Sequence, residues 1–137
     1  MIWRVLLWGT VVGLAHFVVI AFLYGNPLVD RVSAEANRHP SARQWSSQPR
    51  YFLAQFLGTQ VEVYLMSFAF FFIRPLAAPG FSGALEAGGL LAALRVYPRF
   101  WNMWIQTTYP RRLLLIEVIN GTLGTLFIAC FLQTFAL

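Results

Sequence analysis

Residues 51–73 read YFLAQFLGTQVEVYLMSFAFFFI, and this stretch decides the fold class. It reaches the ~20 residues that a bilayer core requires, yet it carries Glu62 near its centre. An ionisable group at such depth costs roughly 2.5–3.5 kcal/mol on insertion scales, so it faces a bundle interior, a cavity or a partner. The stretch therefore reads as a membrane helix with one polar face.

Three more stretches repeat this pattern at residues 5–24, 79–94 and 113–135, and they carry His16, Glu86 and Glu117. The third span in chain order, at about 16 residues, relies on the aromatic run that follows it to reach the interface. An apolar content of 58%, a charged content of 11% and a mean hydropathy of +0.62 place the chain in the membrane class. Its 137 residues leave room for one domain and none for a separate soluble catalytic unit. The expected architecture is all-α: a single membrane domain over residues 1–137, built as an integral four-helix bundle. A short interfacial helical segment precedes the last span.

All ten basic residues are arginines. Arg31, Arg38, Arg43 and Arg50 fall in the first connection; Arg95, Arg99, Arg111 and Arg112 fall in the third. Only Arg4 and Arg74 lie on the other side. Charge placed in loops beside spans sets orientation by the positive-inside rule and does not point to nucleic acid. Both long loops are expected in the cytoplasm of a bacterial inner membrane and both termini outside. The first segment has no small-x-small cleavage pattern after Tyr24 and reads as a retained helix. Cys130, the single cysteine, lies deep in the last span as a packing residue. Gly25-Asn26-Pro27 breaks the first helix, and a short surface helix is expected over residues 30–37.

Helical spacing shows where the polar groups point. Gln55, Gly58, Thr59, Glu62, Met66 and Ala69 form one stripe on the second span, and Ser82, Gly83, Glu86, Gly89 and Ala93 form one on the third. Glu117, Asn120, Gly121 and Gly124 share a face of the fourth, as Gly9, Gly13 and His16 do on the first. Small residues permit close helix approach in lipid, so Gly9, Gly13, Gly83, Ala84, Gly88, Gly121 and Gly124 are read as packing positions. Tyr97, Arg99, Phe100, Trp101, Trp104 and Tyr109 read as anchors at the headgroup level.

Glu62 is expected to lack an arginine at its depth, to be protonated, and to bond Gln55, Thr59 or His16. Glu117 is expected near the cytoplasmic interface, paired with Arg95, Arg99, Arg111 or Arg112. The cluster of His16, Gln55, Thr59, Glu62, Glu86, Glu117 and Asn120 admits a packing network or a proton- or ion-handling site. One membrane histidine without a Glu-x-x-His pair gives poor material for a metal centre, so no metal or cofactor is expected. No G-x-S-x-G, Cys-x-x-Cys or phosphate-cradling glycine loop is present.

The corner Phe22-Leu23-Tyr24-Gly25-Asn26-Pro27, the glycines from Gly83 to Gly89 and the triplet Ile119-Asn120-Gly121 give a pattern that resembles small bacterial four-span membrane proteins of a domain-of-unknown-function family. That resemblance implies a fold and no activity. The expected function is that of a non-catalytic accessory or scaffolding subunit, with the bilayer and other membrane subunits as partners. The alternative is a small proton-coupled carrier or channel-like oligomer using the buried glutamates.

Overall fold

The computed structural model describes residues 1–40 and 44–137; Arg43, counted above among the loop arginines, lies outside them. The described chain is all-helical, with α1 at Ile2–Tyr24, α2 at Pro27–Asn37, α3 at Gln48–Ile73, α4 at Gly80–Gln106 and α5 at Arg111–Phe135. A 3₁₀ turn at Arg74–Leu76 continues α3.

Local chemistry explains the boundaries. Asn26 caps α2, its Oδ1 accepting from the Val29 amide at 3.1 Å, and Pro27 fills the first helical position, where no N–H is needed. The Asn26 Nδ2 also donates to the Leu23 carbonyl at 2.7 Å, so one side chain closes α1 and opens α2. The surface helix therefore begins at Pro27, three residues before its expected start. Val29 and Ala36 bury one side of it, and it packs on α1 and α5. Between α3 and α4 the chain turns through Pro75 and Pro79, and Gly80 takes φ +74°, a left-handed conformation that favours glycine.

The helix that holds the expected third span, 79–94, extends well beyond it. Helix α4 runs unbroken to Gln106 through Pro98, a length of about 40 Å. Of the separate interfacial segment expected over residues 97–109, residues 97–106 are instead the last part of this helix, and residues 107–109 follow its end. A proline inside a helix removes one bond to the carbonyl four residues back. Around it, Tyr97 and Trp101 stack and Phe100 and Trp104 meet at a tilt, both at i, i+4 spacing, with ring centroids 6.4 and 5.4 Å apart.

Among the described residues three helices are long and apolar enough to cross a membrane: α1, α3 with its 3₁₀ extension, and α5. Helix α4 matches them in length, but Glu86, Arg95 and Arg99 dilute its apolar character. Helix α5 packs most extensively on α4 and also contacts α1 and α3, whereas α1 and α4 do not meet among the described residues. The arrangement is a diamond in section, with α3 and α5 on the short diagonal. Val12, Val63, Phe70, Ala84, Ala87, Ile128, Ala129 and Leu132 fill its centre. Lipid offers little hydrophobic drive between helices, so such a core holds by close packing.

Candidate functional site

One polar centre joins three helices. Arg95 on α4 meets Glu62 on α3 as a bidentate pair, Nε donating to Oε1 at 2.5 Å and Nη2 to Oε2 at 2.6 Å. Its Nη1 donates to Thr125 Oγ1 on α5 at 2.8 Å, and that hydroxyl donates to the Gly121 carbonyl at 2.8 Å. Both carboxylate oxygens and all three guanidinium nitrogens are therefore engaged. A fork-to-fork pair of this kind is the strongest geometry available to these two groups.

This overturns the expectation that Glu62 has no arginine at its depth. A span ending at Leu94 leaves Arg95 in a loop; the continuous helix carries it inward instead. Gln55 lies exposed on α3, and Thr59 is half-buried. The signal for Arg95 was present in the sequence. Ala84, Gly88 and Leu91, all buried, lead to Arg95 at steps of four, three and four residues, which is one helix face.

His16 sits buried beside this centre, within electrostatic reach of Arg95 and Glu62. Neither ring nitrogen has a hydrogen-bond partner among the described residues. Its ring fills the space left by Gly124 on α5, where a Cβ would stand 2.7 Å from the His16 Nε2. Gly121 is covered by Val96. Toward the α2 end, Asn120 Nδ2 donates to the Leu23 carbonyl at 3.2 Å, and the Tyr24 hydroxyl donates to Glu117 Oε2 at 3.2 Å. Glu117 thus takes a tyrosine and none of the four arginines expected for it. A cavity of about 100 Å³ lies between these groups, lined by Tyr24, Glu62, Arg95, Arg99 and Glu117 with apolar neighbours.

Glu86 is not part of the centre. It is exposed and accepts from the Ala78 amide at 3.1 Å, tying α4 to its own entry turn. Gly83 is buried under that turn, where a Cβ would collide with the Ala78 carbonyl at 1.7 Å. Gly88 faces Ala129 across the α4–α5 contact, and Ala84 is fully buried. Gly9 and Gly13 meet α3 within the chain, under Tyr64 and Gln60 respectively. Gln60 Nε2 donates to the Gly9 carbonyl at 3.0 Å, and the Thr10 and Tyr64 hydroxyls are hydrogen-bonded at 2.8 Å. Gln60 and Tyr64 were missed because the stripe through Gln55 and Gly58 looked more polar. The stripe that meets α1 instead runs Gln60, Val63, Tyr64 and Ser67.

At the aromatic end Tyr97, Arg99, Trp101 and Tyr109 are exposed, and Phe100 and Trp104 are half-buried. The Arg111 guanidinium lies 4.0 Å from the Trp104 ring centroid, a cation–π contact joining α4 to α5. Among the described residues no three His, Cys, Asp or Glu side chains converge as metal ligands would. No family model, curated protein or solved structure matches the chain.

Proposed function

We propose that the chain is a four-span integral protein of a bacterial cytoplasmic membrane, serving without catalysis of its own as an accessory subunit of a larger membrane complex. Helix α4 is the fourth span in this reading. Its one inward arginine is matched by Glu62, and its outward side chains include Phe81, Leu85, Leu90 and Leu94. Moving Arg95 from loop to helix leaves Arg31, Arg38, Arg43, Arg50, Arg99, Arg111 and Arg112 facing Arg4 and Arg74. That bias still favours termini outside.

The observation that carries the subunit reading is a pair of outward-facing glycines. Among the described residues, nothing beyond their own helix backbone and chain neighbours lies within 4 Å of the position a Cβ would take at Gly58 on α3 or Gly89 on α4. On membrane-length helices such bare backbone suits close approach by a helix from another subunit. Mild-detergent extraction at native expression, followed by native sizing and mass spectrometry, tests this. The expected result is a stoichiometric set of larger membrane subunits. Gly58→Leu and Gly89→Leu should release that set while leaving the isolated chain folded, because both positions are exposed and a Cβ there meets no other helix among the described residues. A lone chain, or a complex indifferent to both substitutions, would overturn the reading.

The cavity beside Glu62 and Glu117 favours the second reading, a small proton-coupled carrier or channel-like oligomer. Bidentate pairing with Arg95 weighs against it by neutralising the carboxylate that such a carrier would cycle. Proton flux in vesicles that survives Glu62→Gln with an unchanged pH profile would remove it.

A further inference from the structure

At the end of the bundle where α3 turns into α4, an open pocket of about 440 Å³ is lined by Arg4, Phe71, Arg74 and Pro75, together with Met1 and Leu137. Both arginines are fixed by neutral acceptors. Arg74 Nε donates to Gln133 Oε1 at 2.5 Å, and its two Nη atoms donate to the carbonyls of Ala78 and Gly80 at 2.9 Å each. Arg4 donates to the Ala136 carbonyl and lies over the Phe71 ring, 5.3 Å from its centroid. A guanidinium carries five N–H donors, so both retain donors for a ligand.

Among the described residues no Asp or Glu side chain comes within ion-pair distance of either. Glu86, the carboxylate of the same turn, is engaged with the Ala78 amide. Two preordered cations with no Asp or Glu partner among the described residues thus share one pocket whose wall is largely apolar.

We propose that this pocket binds the phosphodiester of an anionic phospholipid, with the glycerol and upper acyl chain against Phe71 and Pro75. Guanidinium forks match phosphate oxygens in geometry as well as charge. Free inorganic phosphate would satisfy the arginines and leave the apolar wall uncovered. A zwitterionic lipid would bring a choline or ethanolamine cation toward two arginines, with no Asp or Glu side chain among the lining residues to receive it. The inference is independent of the subunit reading, since it concerns the opposite end from the aromatic anchors and needs no partner chain.

The test is native mass spectrometry of the full chain released from vesicles of equal phosphatidylglycerol and phosphatidylcholine. The expected result is retention of phosphatidylglycerol over phosphatidylcholine, reduced about five- to tenfold by Arg4→Gln, the scale of one arginine at a phosphate. Arg74→Gln should do the same, with circular dichroism reporting whether the turn that Arg74 holds survives. Arg4 is exposed, so its variant keeps the test valid if the Arg74 variant misfolds. Arg112→Gln, at the other end, should retain lipid normally. Equal retention by wild type and Arg4→Gln would overturn the proposal. So would millimolar inorganic phosphate that displaces the lipid and binds with the same arginine dependence, because the ligand would then be the free ion.

Discussion

Arg95 uses all three guanidinium nitrogens inside the bundle, on acceptors from α3 and α5, so its removal strands a carboxylate at membrane depth. Breaking a buried pair costs about 3–5 kcal/mol. The Glu62 side chain is 39% exposed, so the low end, about 3 kcal/mol, is expected for Arg95→Met alone. The double variant Arg95→Met with Glu62→Leu should cost less than either single change, and thermal unfolding in detergent measures the cycle. Gly124→Ala gives a second residue-scale test. Its methyl would meet the His16 ring, so a loss of about 1–3 kcal/mol is expected, and His16→Ala in the same chain should recover most of it. His16 and Gly124 were each marked by their types and spacing. That they touch was not legible, because periodicity assigns a residue to a face and says nothing of which helix stands opposite.

At the scale of elements, Asn26 shows how a short polar side chain sets two helix ends at once. Asn26→Ala removes the cap of α2 and a donor to the end of α1. About 1 kcal/mol of local stability should be lost, seen as faster hydrogen exchange of the Val29 amide with the α3 amides unchanged. The breaker Gly25-Asn26-Pro27 was legible, as were the limits of the three apolar helices to within a few residues. The end of α4 was not. Arg95, Pro98 and Arg99 together look like an exit from the membrane, and only a partner 33 positions earlier on another helix reverses that reading. Composition-based rules see a charge and cannot see its counter-charge.

For the whole molecule, orientation is the property most open to a direct test. With Cys130 replaced by serine, Ala77→Cys in the α3–α4 turn should react with a membrane-impermeant maleimide on intact cells. Ser33→Cys on α2 should react only after permeabilisation. The reverse pattern would place the termini inside and contradict the positive-inside reading. The all-helical character and the apolar helices were readable because length and hydropathy determine them. The diamond arrangement was not, since neighbouring stretches with similar stripes leave several pairings equally consistent.

The Glu62–Arg95 pair also constrains how the molecule is made. Glu62 leaves the ribosome 33 residues ahead of the arginine that neutralises it, a delay of about two to seven seconds at ordinary synthesis rates. During that interval the basic residue already present on α3, Arg50, stands about three helix turns from Glu62, so the carboxylate has no counter-charge at its own level. In the four-span arrangement proposed above, commitment of α3 to the bilayer is expected to wait on the emergence of α4, the two helices being released together as one hairpin. In Arg95→Met that hairpin loses its latch, so α3 should stay longer in contact with the insertion machinery, quite apart from any loss of stability in the finished bundle.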